Sequence, residues 1–101
     1  MKIAELFNVS GKVAIVTGGS RGIGEMIAAG FLANGVKVYI TARKEAALIE
    51  KAKELSDKFS GECIPVPCDL STMDGMSDFV EFIQSKEKYI DFLINNAGAS
   101  W

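Results

Sequence analysis

Histidine is absent from the 101 residues, and there are only two cysteines, Cys63 and Cys68. Two thiols alone cannot close a tetrahedral zinc site, and their apolar surroundings point to small buried side chains in a reducing compartment, not to a disulfide. No run of lysine and arginine breaks a net charge of −2, which argues against a nucleic-acid surface or a polybasic membrane patch. Apolar stretches are all too short to span a bilayer. The opening "MKIAELFNVSGKVAIVTGG" has no apolar core followed by a small-residue cleavage site. The default expectation is therefore a cytoplasmic protein. Both prolines of the chain fall within one six-residue segment, "CIPVPC".

What is present is ordinary globular composition, 49% hydrophobic and 24% charged, at a length that suits one domain and not two. Short β-rich runs alternate with longer helix-like ones. "KVAIVT" (12–17) and "VKVYIT" (36–41) show almost no polar alternation, as strands covered on both faces do. "CIPVPC" (63–68) is a third strand, and its prolines, each removing a ladder donor, place it at a sheet edge. "DFLIN" (91–95) is a fourth.

Between them, "GIGEMIAAGFLAN" predicts a helix burying Ile23, Ile27, Gly30 and Phe31, stopped by Asn34-Gly35. "KEAALIEKAKELSDKFS" predicts one burying Leu48, Ile49, Ala52, Leu55 and Phe59. A third opens on the pattern Ser71-x-x-Asp74, buries Met76, Phe79, Val80 and Ile83, and is slightly weakened by Gly75. The order β-α-β-α-β-α-β implies right-handed crossovers and a parallel sheet with helices on its faces.

The segment "TGGSRGIG" (17–24) holds four glycines in eight residues at a strand-to-helix turn. A helix N-terminus offers unpaired N–H groups and the positive end of the dipole, and a diphosphate reaches them only where no Cβ intervenes. Gly18 permits the turn, Gly22 the approach, and Gly24 the packing of helix on strand. The spacing is neither G-x-G-x-x-G nor a P-loop, since Glu25-Met26 follows where Lys and Ser/Thr are needed. At the end of the second strand, where an acid commonly holds a free 2′-hydroxyl, stand Ala42 and Arg43. Ala leaves room for a 2′-phosphate and Arg pairs with it, with Arg21 as a second cation. "CDL" and "NNAG" close the third and fourth strands, so every motif sits at a carboxyl end, where such sheets bind ligands.

Taken together these residues resemble the classical short-chain dehydrogenase/reductase family: "TGGSRGIG" its TGxxxGIG loop, "CDL" its adenine-side Asp, and "NNAG" its strand-four motif. "NNAGASW" and "VYITARK" look most like its 3-oxoacyl-thioester reductase branch, including relatives tied to rhamnolipid synthesis; tropinone-type ketone reductases are also similar. The resemblance implies a Rossmann-type, doubly wound parallel sheet with strand order 3-2-1-4, of which residues 1–101 are the N-terminal, dinucleotide-binding portion.

It further implies that Gly18, Ser20, Arg21, Gly22, Ile23 and Gly24 line the diphosphate and adenosine ribose, and that Arg43 binds the 2′-phosphate of NADP(H). Asp69 would hydrogen-bond the adenine amine with Leu70 beside the ring. Asn96, Ala97 and Gly98 would line the ribose side of the cleft, and the Thr17 hydroxyl would tie strand one to the NNAG turn. The expected activity is reduction of a ketone or 3-oxoacyl thioester, in a protein that assembles as a tetramer.

Family members run to about twice this length or more, and their catalytic Ser and Tyr-xxx-Lys follow the NNAG motif. Here Arg43 lies four residues after Tyr39, in a strand, and Leu93 four after Tyr89, so neither tyrosine has the lysine partner. The chain therefore reads as an N-terminal fragment that holds most of the cofactor site and none of the catalytic groups. It is expected to be inactive, marginally stable and prone to self-association at its fourth strand. A free-standing dinucleotide-binding module and a non-functional truncation product are the alternatives.

Overall fold

Strands β1 (Val13–Thr17), β2 (Lys37–Ala42), β3 (Cys63–Pro67) and β4 (Phe92–Asn95) alternate with helices α1 (Gly22–Ala33), α2 (Glu45–Phe59) and α3 (Met73–Lys86). They come from a computed structural model that describes residues 8–96. The strands form one parallel sheet in the order β3-β2-β1-β4. Steps from β1 to β2 and from β2 to β3 run one way along the sheet, and the step from β3 to β4 runs back past both. With right-handed crossovers, that reversal puts α3 on the opposite face from α1 and α2.

The core divides accordingly. Ala14, Val16, Val38 and Ile40 point toward Ala28 and Leu32 of α1 and Leu48, Ala52 and Leu55 of α2. Their strand neighbours Ile15, Tyr39 and Val66 point toward Phe79 and Ile83 of α3. Because strand side chains alternate, apolar residues are needed at consecutive positions, which accounts for the uninterrupted runs in β1 and β2. The thiols obey the same alternation: Cys63 packs in the first layer and Cys68 against the second, and both are free. Burial pushes the Cys63 thiol up to about 12.

β3 forms one margin of the sheet, with Pro65 opposite Ile40 and Pro67 opposite Ala42, as its prolines require. At the other margin β4 pairs with β1 in the register Ala14 to Phe92 through Thr17 to Asn95. It is held at its start by Asp91, whose N–H donates to the Val13 carbonyl (2.9 Å) while its Oδ2 accepts from the Val13 N–H (2.9 Å). Phe92 also stacks on Phe31 of α1 with ring centroids 5.2 Å apart.

At the amino ends of the strands, Glu87 just after α3 accepts from the Tyr39 hydroxyl and pairs with Lys37 at 2.6 Å. The hydrogen bond from Lys37, then that from Tyr39, holds the Glu87 carboxyl below its ordinary value. Burial, then the bond to Glu87, pushes the Tyr39 phenol up to about 12.

Three helix faces differ from the sequence expectation. On α1 the residues against the sheet are Gly24, Ala28 and Leu32, while Ile27 and Phe31 are half-buried, Gly30 is exposed and Ile23 is 67% exposed. Small side chains let the helix sit close, so the contacting stripe is one turn-edge away from the bulkiest one. On α2, Ile49 stays 47% exposed beside buried Leu48. On α3, Phe79 and Ile83 are buried, but Met76 and Val80 are 43% and 44% exposed. The α3 cap is Thr72, whose Oγ1 accepts from Gly75 N–H at 3.0 Å, and not Ser71. Gly75 does more than weaken that helix: a Cβ there would overlap the Asp69 carbonyl oxygen and lie 2.9 Å from Thr72 Oγ1.

Candidate nucleotide-binding site

The turn after β1 is built from backbone conformations and close approaches that exclude side chains. Gly18 and Gly22 have φ of 67° and 61°, in the left-handed region that glycine enters without strain. A Cβ on Gly24 would overlap the Gly18 carbonyl and lie 2.7 Å from Asn96 Nδ2, so α1 closes directly onto the turn. Gly19 has a reason that the sequence reading missed: its Cβ would fall 2.5 Å from Ile40 Cγ2, on the neighbouring strand. The doubled glycine directly after a buried strand was the available signal. A Cβ on Gly22, by contrast, would meet nothing within 4 Å, so that position opens outward.

Arg21 occupies the N-cap position of α1 in an extended conformation and makes no side-chain cap bond. The first N–H groups of α1 are thus left available to a ligand, whereas those of α3 are occupied in part by Thr72. Ser20 is half-buried in the turn, and Arg21, Gly22 and Ile23 are exposed.

Thr17 joins this turn to the end of β4. Its hydroxyl accepts from the Asn96 N–H at 2.8 Å and lies 3.1 Å from Asn95 Oδ1 and 3.3 Å from the Ile94 carbonyl. Asn96 Nδ2 reaches the Gly18 carbonyl at 3.5 Å. The expected link from strand one to the start of the NNAG turn is therefore present, with Thr17 buried and the asparagines exposed. Ala97 and Gly98, expected to continue that wall, lie outside the described residues.

Ala42, the last residue of β2, accepts from the Cys68 N–H at 3.1 Å, which brings the ends of β2 and β3 together. Arg43 follows it, exposed, and neither Arg43 nor Arg21 forms a salt bridge among the described residues. Two residues past β3, Asp69 is held by Ser71, whose N–H and hydroxyl both donate to Oδ1, at 3.0 and 2.6 Å. The Ser71 hydroxyl, then its N–H, with the Arg43 charge adding to both, holds the Asp69 carboxyl below its ordinary range. Leu70 is half-buried against the α3-side core.

The glycine turn, two arginines that form no salt bridge among the described residues, a carboxylate and the asparagines thus share the carboxyl ends of the four strands. They lie beyond the carboxyl ends of β1 and β4, neighbours in the sheet though far apart in the chain, and such crossover points are where open α/β sheets take ligands. A cleft of about 750 Å³ at the opposite end, lined by Lys12, Leu32, Val36, Lys37, Phe59 and Glu87 among others, contains none of them.

This sheet and this turn define a dinucleotide-binding fold, and the chain belongs to the short chain dehydrogenase family, whose model matches residues 12–101. It is 43% identical over 95 residues to the rhamnolipids biosynthesis 3-oxoacyl-[acyl-carrier-protein] reductase of Pseudomonas aeruginosa, covering 94% of this chain and 36% of that protein. It is 41% identical over 101 residues to the fatty acyl-CoA reductase of Acinetobacter baylyi, covering 98% and 34%. The chain thus spans about a third of the length of these relatives.

Among solved structures it superimposes on the Pseudomonas aeruginosa RhlG/NADP active-site complex with a TM-score of 0.86 and 42% identity, over 93% of this chain and 37% of that one. L-sorbose reductase from Gluconobacter frateurii, complexed with NADPH and L-sorbose, gives 0.88 and 39%, over 93% and 36%. No helix among the described residues is long and apolar enough to cross a membrane.

Proposed function

We propose that residues 1–101 are the NADP(H)-binding portion of a reductase that acts on a ketone or a 3-oxoacyl thioester. The observation that carries the reading is the pairing of an uncapped, glycine-opened α1 N-terminus with two arginines, Arg21 and Arg43, that form no salt bridge among the described residues, and no acid at the end of β2. Gly18, Ser20, Gly22, Ile23 and Gly24 would bound the diphosphate, with Arg21 and Arg43 on the 2′-phosphate. Asp69 would accept from the adenine amine beside Leu70, and Asn96, with Ala97 and Gly98, would wall the ribose side.

The residues fit such a ligand. The position of Gly22 is open where a Cβ would stand in the way of an approaching phosphate, and the Gly24 contact fixes the helix end that would receive it. When bound, the cofactor supplies a hydride to a carbonyl carbon. This chain's own residues bind and orient it. Neither Tyr39 nor Tyr89 has a lysine four positions on, so neither is assigned the delivery of the proton. The relatives solved with NADP or NADPH support the phosphate reading, and the 3-oxoacyl reductase supports the substrate class. A cytoplasmic location and a homotetrameric whole protein complete the proposal.

The test is titration of the purified chain with NADPH and with NADH, followed by cofactor fluorescence. NADPH should bind saturably and more tightly than NADH. Arg43→Asp should erase the preference, a loss of about 10- to 100-fold for a charge-assisted phosphate contact. Equal affinity for the two cofactors in the wild-type chain would refute the phosphate reading.

A further inference from the structure

We infer that Ser71 is a positioning residue for adenine recognition: it fixes one oxygen of Asp69 so that the other is presented to the base. The inference rests on the proposal above that Asp69 accepts from the adenine amine.

A carboxylate at the end of a strand rotates freely unless something holds it, and a freely rotating acceptor discriminates weakly between donors. Asp69 is held from two sides. On the main chain, its carbonyl accepts from Thr72 N–H at 3.4 Å and from Thr72 Oγ1 at 3.2 Å, and Gly75 lets the first turn of α3 close over it because no Cβ stands there. On the side chain, both donors of Ser71 converge on Oδ1, at 3.0 and 2.6 Å. No described residue donates to Oδ2.

The result is a half-buried carboxylate at the carboxyl end of the sheet, with two donors on one oxygen and none among the described residues on the other. The same two bonds favour the ionised form, with Arg43 adding to them, so the other oxygen is an acceptor and not a hydroxyl donor. Adenine offers an N–H donor at C6, whereas hypoxanthine offers a carbonyl oxygen there. A fixed acceptor separates the two bases, and a mobile one turns away from the mismatch. Ser71 is exposed, so its replacement leaves the core intact.

The experiment compares the affinity of the chain for NADPH with that for its hypoxanthine analogue, in wild type, Ser71→Ala and Ser71→Thr, each ratio taken within one protein sample. Wild type should favour NADPH by about tenfold or more, as a hydrogen bond to a charged acceptor allows. Ser71→Ala should bring the ratio to roughly threefold or less, and Ser71→Thr, which keeps both donors, should restore it.

An NMR titration of the Asp69 carboxyl without cofactor provides the second readout: its midpoint should rise in Ser71→Ala and stay low in Ser71→Thr. An unchanged ratio or an unchanged midpoint in Ser71→Ala overturns the role of Ser71 while leaving the cofactor assignment in place. Equal binding of the two dinucleotides by wild type overturns the adenine contact of Asp69 itself, and Ser71 falls with it. A chain that binds neither refutes the proposed function and removes the ligand that Ser71 would serve.

Discussion

Two glycines six residues apart on α1 should answer the same substitution with opposite signs. At Gly24 a Cβ would overlap the Gly18 carbonyl and approach Asn96 Nδ2 to 2.7 Å. The carbonyl belongs to the turn itself and cannot swing aside as a long side chain would. Overpacking of this kind costs about 1–3 kcal/mol. Replacing glycine within a helix returns at most about 1 kcal/mol. Gly24→Ala should therefore destabilise by roughly 1–2 kcal/mol and weaken cofactor binding, because the helix end is displaced.

At Gly30 the added Cβ would meet nothing within 4 Å, and only the helix gain of about 0.5–1 kcal/mol remains. Urea unfolding followed by far-ultraviolet circular dichroism should separate the two variants by about 1.5–3 kcal/mol, a midpoint difference of roughly 1–2 M for a chain this size. If Gly24→Ala is as stable as wild type, or the two variants move together, the close seating of α1 on the turn is wrong.

Thr17→Val keeps the shape of a buried residue but removes the acceptor for Asn96 N–H. It should cost about 1–3 kcal/mol and speed hydrogen exchange at Asn96, with Thr17→Ser close to wild type; unchanged exchange would count against the link. Stability should also vary with pH through the cluster at the amino ends of the strands. Glu87 is held below its ordinary 4.5, so its contribution is present above that value and lost as pH falls through the lower folded value. Tyr39, raised from 10.0 to about 12, contributes fully below 10 and loses its contribution as pH rises toward 12. Glu87→Gln should flatten the acid limb of stability measured by urea titration from pH 6 to pH 2, and an unaltered limb would remove Glu87 from the account.

The strand order came with the family resemblance, but the helix-covered sheet and its edge strand were legible from the residues, because each rests on a rule that few residues can satisfy otherwise. Unalternating runs such as "KVAIVT" are needed only where helices cover both faces, and two prolines cannot sit inside a sheet. The glycine turn was legible for the same reason. Helix faces were not. Counting bulky residues on α1 selects Ile23 and Ile27, whereas the sheet takes Gly24, Ala28 and Leu32, because a helix seated closely over a turn needs small side chains that a hydrophobic count overlooks. The same count put Ile49, Met76 and Val80 inside. The cap of α3 was misplaced by one residue because Ser71 and Thr72 are both good caps. In the structure the Ser71 hydroxyl is turned to the carboxylate of Asp69, two residues before it, and the oxygen that accepts from the helix is that of Thr72.

The cluster of Lys37, Tyr39 and Glu87 stands at one end of the strands and the glycine turn at the other, with five- and six-residue strands between. Substitutions can accumulate at the first end, shifting the temperature and pH at which the sheet survives, without touching a ligand at the second. A lineage moving between habitats could thus adjust endurance and chemistry on separate schedules, in one small sheet.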